Sequence, residues 1–510
     1  MKTKIYIALF SFLFFTACEK DIPTHYEYDS YSFTNTDKDA GNWKTTLISS
    51  ALQINVVPPT AINSPEYLAE LAQLKITQLS LPENIQSDIK YWTNNPVLRW
   101  NEIARELIAK YNLIPGPNDD GTYTLPNASN PTGPPPFPFA HPPYACRALA
   151  YLSVAQYDGL ITAWYYKSLY SRAAACVTDP NIHNCHQTNT IPSYPSDEAV
   201  IARVSKEILT AMFPLEKEYL ATLESKHLAA IRSAGTCVQS DVDAGISIAN
   251  EIAALALQRA SSDGMKNAQA PKAVADSIKN DAISRFGWSW VNLEIPVRPV
   301  GLTPLFGKVR MWNVPNVQVV RPGAPPAFGS DEYNACVAEL KDYAANLTRE
   351  RRRIANYWSD GLGTYTPPGH WNEIATSIIV EQKLNPIRTA RIMAYMNMAI
   401  MDGGISCWDA KYYYHYPRPI QNIAGFKTIL GTPNFPSYTS GHSVFSAAAA
   451  DVLAYFFPSH AQSVNEMAKE AAVSRIYGGI HWAFDASAGL TQGKAVAKYS
   501  IDLAKKDGAE

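Results

Sequence analysis

The sequence predicts an all-α protein built from helical bundles, and three observations carry that expectation. Apolar residues recur with a helical period in both halves of the chain, and no long run alternates with a period of two. Small residues gather at Ser446–Ala450 and at Ala486, Ala488, Gly489 and Gly493, where helix axes can then approach closely. With 46% apolar and 18% charged residues, the 510-residue chain can bury a large core and is too apolar for a disordered one. Its 44 Lys and Arg against 46 Asp and Glu leave a formal charge of −2, so no electrostatic reason exists to expect a nucleic-acid partner.

The elements follow in order. Lys2 and Lys4, an apolar stretch from Ile5 to Phe15 and Thr16-Ala17-Cys18 have the layout of a secretory signal over 1–17, similar to that of a bacterial lipoprotein whose Cys18 is lipidated. The stretch is far short of the roughly 20 residues that span a bilayer. Export and a membrane hold through acyl chains alone follow as expectations, either periplasmic or at the cell surface, with 18–42 a polar tether. An N-terminal helical domain is expected over 43–293, clearest at Asp88–Tyr111, Cys146–Ala174, Asp197–Leu223 and Asp241–Arg259. Ten prolines between Leu113 and Pro143 interrupt it with an irregular loop, a lid or a surface insert. A Pro- and Gly-rich connection, 294–330, leads to a second helical domain, 331–510. Its helices are expected at Asp331–Tyr357, Trp371–Lys383, Pro386–Asp402, Ser443–Phe456, Ala461–Tyr477 and His481–Lys505. Pro386 opens one of them where its missing donor costs little. No sequence repeat is evident, although two bundles related in structure can leave none.

Six cysteines follow Cys18 and allow fifteen pairings. Cys176 and Cys185 flank a short loop and are the expected disulfide. Unpaired thiols, or a metal site with His183 and His186, are the alternatives, and the latter spacing matches no zinc pattern.

The chemistry concentrates in Lys411–Asp485. Pro417 and Pro419 stiffen the backbone around Arg418. Ser440 can cap the Ala-rich helix that follows, and Gly441 can leave an amide open at its positive end, where an anion would bind. Gly478-Gly479 breaks a helix so that Arg475 and His481 can turn to one point. Asp485, four residues after His481, can take the Nδ1 proton in a hydrogen bond and leave Nε2 reactive. Lys411, Arg418 and Arg475, with Ser440 and Gly441, suit a tetrahedral oxyanion, because guanidinium forks match its oxygen edges. His481 would attack or coordinate the central atom while His442 acts as general acid or base. Taken singly, each piece is an ordinary surface charge, cap or ion pair; their order and short spacings argue for one site. His415 lies inside the first block, on the rim or tuning the pocket. His370 and His141 have no role that the residues argue, and Tyr412-Tyr413-Tyr414 faces several ways.

Lys-x6-Arg-Pro, Ser-Gly-His and Ser-Arg-x5-His together resemble the three-part signature of the superfamily joining type 2 phosphatidic acid phosphatases, class A acid phosphatases and vanadium-dependent haloperoxidases. Thr439 stands where the second block more often has proline. The resemblance implies an all-helical fold with a catalytic four-helix bundle of the haloperoxidase and acid phosphatase type. Trp408 and Phe435 stand where the haloperoxidase branch puts aromatics beside its halide pocket. Tyr357–Gly361 and Thr366–Trp371 are similar to another stretch of those enzymes, which implies that Asp360 faces Arg475.

The haloperoxidase resemblance implies vanadate bound through His481 Nε2, oxygens held by Lys411, Arg418, Arg475, Ser440 and Gly441, and hydrogen peroxide polarised by Lys411 for attack by a halide. Protons would pass through His442, and Asp485 would orient His481. The phosphatase alternative needs no cofactor: His481 forms a phosphohistidine from a phosphomonoester and His442 protonates the leaving alcohol. A third alternative is a lipoprotein that binds an oxyanion without turnover.

Overall fold

Proline and glycine decide where the helices begin and where several expected ones break. The computed structural model describes residues 31–183 and 190–510, so the expected signal, Cys18 and the Cys176–Cys185 pair lie wholly or partly outside the described residues. Among these residues the fold is all-helical, with no strand and one isolated bridge, Pro117 to Tyr123. None of the described helices is long and apolar enough to cross a membrane.

Ten helices frame the site. They are α1 (Pro96–Tyr111), α2 (Pro142–Tyr170), α3 (Asp197–Met212), α4 (Lys217–Ser233), α5 (Gln239–Ser262), α6 (Thr366–Glu381), α7 (Pro386–Tyr414), α8 (Gly441–Phe456), α9 (Ala461–Tyr477) and α10 (Ala483–Ala504). The stretch expected as one helix over 88–111 is two, because Pro96 starts a new first turn. Pro214 similarly divides 197–223 into α3 and α4. The reverse happens at α7, which runs through Gly403-Gly404 to Tyr414 and does not stop at Asp402. Those glycines are places of close approach: a Cβ on Gly404 would lie 2.8 Å from the Phe445 ring. Lys411 thereby falls in the last turn of a long, rigid helix.

Helices α7 to α10 form one bundle, with α8 packed on the other three. Helices α2 to α5 form another, with α3 in the same relation to its neighbours. The two bundles join along α2 and α7, and a single apolar core runs from Ala40 to Ala504 across the Pro- and Gly-rich connection.

The expectation of no repeat is corrected by the structure. Helices α7, α8, α9 and α10 each begin 244 residues after α2, α3, α4 and α5. Asp158 caps the backbone N–H groups of Thr46, Leu47 and Ile48, and Asp402 caps those of Trp312, Asn313 and Val314. Trp100–Ala104 in α1 recurs letter for letter as Trp371–Ala375 in α6, and Asn101 Nδ2 donates to Asn372 Oδ1 at 2.8 Å. Asn397 Nδ2 meets Ser153 Oγ at 3.0 Å across the α2–α7 seam. Apart from that five-residue run, identity survives at scattered positions, which is why a scan along the sequence does not show the repeat.

Candidate active site

The three sequence blocks meet at one end of the C-terminal bundle. Lys411 ends α7, Arg418 caps a short helix (Pro419–Asn422), Ser440 caps α8, Arg475 lies in the last turn of α9, and His481 and Asp485 flank the start of α10. The Ser440 cap forms as expected, its Oγ accepting from Ser443 N–H at 3.4 Å. Gly489 lets α10 pass Ser440 closely, since a Cβ there would lie 2.9 Å from the Ser440 carbonyl oxygen.

His481 is buried and held from both sides. Its Nδ1 donates to Asp485 Oδ2 at 2.8 Å, and Arg418 Nη1 donates to its Nε2 at 3.0 Å, which defines the neutral tautomer. Burial first, then Arg418 and Lys411, pull its pKa well below the ordinary value. Asp485 Oδ2 also accepts from Ser437 Oγ at 2.5 Å and Trp482 N–H at 3.1 Å, while burial raises its pKa.

A cavity of about 400 Å³ opens onto this array. Arg475, His481, His442 and Gly441 line it with Asp360, Trp408 and Phe435. Trp408 and Phe435 stand 5.0 Å apart between ring centres and form an apolar wall. Lys411, Arg418 and Ser440 are fully buried, and Arg418 reaches the cavity through its bond to the lining His481. Lys411 Nζ donates to the carbonyl oxygens of Pro436, Ser437 and Thr439. An ammonium in this interior satisfies its three donors on the nearest carbonyl dipoles. It nevertheless sits 5.0 Å from the centre of the Phe435 ring, and Arg418 sits 5.1 Å from it. Burial lowers the pKa of all three cations.

Asp360 and Arg475 line the same cavity, and their charges interact. No ion pair joins them: Arg475 Nη2 donates to the Ala355 carbonyl at 2.8 Å, and Asp360 Oδ1 pairs with His370 Nδ1 at 3.1 Å. Asp360 Oδ2 lies 3.7 Å from His442 Nε2, and neither atom has a hydrogen-bond partner. His370 takes up one carboxylate oxygen, and the Asp360 charge still opposes the fall in the Arg475 pKa.

Other residues escaped the sequence reading. Ser437 holds Asp485, and its place beside the Ser-Gly-His block was the available signal. Phe139, His141 and Pro142 come from the proline-rich loop, and Glu294, Arg298 and Leu302 from the connection. No local pattern marks these six. His415 does not line the cavity; it ends α7 in the left-handed conformation and accepts Trp290 N–H on Nδ1 at 3.0 Å. Tyr412 and Tyr414 pin the connection through the Leu302 and Pro322 carbonyls, while Tyr413 is exposed. Among the described residues no disulfide forms.

The donors suit a small oxyanion. An arginine, a helix N-terminus and two neutral imidazoles converge, and the buried, unpartnered His442 Nε2 beside the cavity is a group in want of a partner.

Residues 391–508 match the model of the PAP2 superfamily. The vanadium chloroperoxidase of Curvularia inaequalis is 24% identical over 216 residues, which cover 26% of this chain and 36% of the relative. The chain thus spans about a third of that relative's length. A solved bacterial vanadium-dependent iodoperoxidase has the same fold, with a TM-score of 0.59 and 21% identity over 83% of this chain and 98% of its own. An apo-type bacterial vanadium-dependent chloroperoxidase aligns with a TM-score of 0.51 and 14% identity, over 78% of this chain and 99% of its own. The match to the PAP2 superfamily model falls on the C-terminal bundle, and the chain shares its fold with the solved iodoperoxidase.

Proposed function

We propose that this chain is a vanadate-dependent haloperoxidase-like enzyme that oxidises a halide with hydrogen peroxide. The observation that carries the reading is the convergence of Arg475, Gly441, His442 and His481 on one cavity walled by Trp408 and Phe435. An apolar aromatic wall beside a cationic floor suits a small, weakly hydrated anion.

Vanadate would be held by His481 Nε2, Arg475 and the start of α8. Bound there, it supplies a Lewis-acidic centre that activates peroxide. The chain supplies the rest. Asp485, fixed by Ser437, keeps the Nδ1 proton on His481 and directs Nε2 away from itself. Arg418 must release Nε2 as the site fills, and the Phe435 and Ile480 carbonyls remain its partners. Lys411 and Arg418 add buried positive charge beside the aromatic wall, where water screens it poorly. His442, neutral and next to Asp360, is placed to hold or pass a proton at Nε2.

The unpartnered His442 Nε2 also supports a second reading, an acid phosphatase in which His442 protonates the leaving alcohol of a phosphomonoester. One assay separates them: the purified chain is given vanadate, peroxide and iodide or bromide, and separately a phosphomonoester. Vanadate-dependent halide oxidation is expected; ester hydrolysis inhibited by vanadate would replace the first reading with the second. His481→Ala should abolish whichever activity is found, and an unchanged rate would remove His481 from the chemistry. Export with a lipid on Cys18 belongs to the same proposal.

A further inference from the structure

The repeat places a second set of site positions in the N-terminal bundle, 244 residues before the first. Many supporting contacts are duplicated. Lys167 Nζ donates to the Pro192 carbonyl as Lys411 Nζ does to that of Pro436. Ser193 Oγ reaches Asp241 at 3.2 Å and Val238 N–H reaches it at 2.8 Å, as Ser437 and Trp482 reach Asp485. Ser196 N–H donates to the Asp241 carbonyl at 2.9 Å and Ser196 Oγ caps α3, matching Ser440. Trp164 matches Trp408, and Gly245 lets α5 pass Ser196 as Gly489 lets α10 pass Ser440.

A small cavity of about 50 Å³ lies at this place, lined by Trp164, Lys167, Ser193, Asp197, Glu198 and Cys237. The polar groups proposed to meet the oxyanion have changed: Cys237 stands for His481, Glu198 for His442, Asp197 for Gly441 and Ile231 for Arg475. Two imidazoles and a guanidinium are gone and two carboxylates have arrived, so the sign of the pocket is reversed. The scaffold is kept. Asp197 Oδ1 lies 3.2 Å from Lys167 Nζ, and Arg172 pairs with Asp241. Phe33 and Asn385 also line the cavity.

We propose that the N-terminal bundle holds a lapsed copy of the oxyanion pocket, in which the Asp197 carboxylate, on the Lys167 ammonium, stands in for an external anion and shuts the site. The inference rests on the proposed oxyanion chemistry of the C-terminal copy. A carboxylate already on the only retained cation of the cavity leaves a phosphate or vanadate ion nothing to neutralise it, and Glu198 repels it. The chain therefore takes one oxyanion, not two.

Equilibrium dialysis of the full chain with inorganic vanadate counts the sites. One equivalent is expected, unchanged by Lys167→Met; a second equivalent on the unaltered chain overturns the inference. The quadruple variant Asp197→Gly, Glu198→His, Ile231→Arg, Cys237→His restores the groups that hold the oxyanion in the working copy. It should gain a second equivalent, weaker than the first, that Lys167→Met removes. A quadruple variant with native circular dichroism that stays at one equivalent also overturns it. If the reading of the C-terminal site is at fault instead, neither the unaltered chain nor the quadruple variant binds vanadate.

Discussion

Asp485 does more at this site than any other single residue, because one carboxylate oxygen collects a hydroxyl, an amide and the His481 imidazole. Asp485→Asn keeps the size and loses the acceptor that selects the tautomer. A fall in kcat of about 10–100-fold is expected with a smaller change in KM, and an unchanged kcat would assign Asp485 to folding alone. His227 tests burial far from the site. It accepts from Trp100 Nε1 at 3.2 Å and stacks on Trp92, and burial lowers its pKa from the ordinary 6.5 to about 3. The unfolded chain therefore binds this proton first, so the stability it contributes is complete above pH 6.5 and is lost as pH falls towards 3. Denaturant unfolding should show that wild type loses about 1.4 kcal/mol more per pH unit than His227→Gln across that window. Parallel pH curves for the two would contradict a buried neutral imidazole.

At the scale of elements, the site depends on how closely helices pass. Gly489 brings α10 against the Ser440 turn, and a Cβ there would lie 2.8 Å from Ser443 Cβ. Gly489→Ala should cost about 1–3 kcal/mol in stability and lower activity, because the turn it displaces carries Gly441 and His442. A variant with wild-type Tm and rate would show that the turn yields freely. The same dependence explains the one long element that sequence periodicity cut short. Gly403-Gly404 reads as a helix end until Phe445 is seen to need the space.

At the scale of the whole molecule, the two bundles share a core, and the N-terminal chain supplies Phe139, His141 and Arg298 to the cavity. Residues 331–510 expressed alone should not melt cooperatively, since α7 would expose the face it buries on α2; a sharp thermal transition would refute this. Metabolic labelling with palmitate should mark the exported chain and not its Cys18→Ala variant, and an unlabelled parent would exclude the lipid anchor. The all-helical class, the oxyanion motif blocks and the His481–Asp485 pair were legible in the sequence, because helical period, caps and an i, i+4 hydrogen bond act within a few residues. Four things were settled only by the tertiary structure: the burial of Lys411 and Arg418 beside the aromatic wall, the pairing of Asp360 with His370, the loops that close the cavity and the duplicated bundle. These depend on which distant groups a buried charge or ring meets, and spacing along the chain does not encode distance across a core.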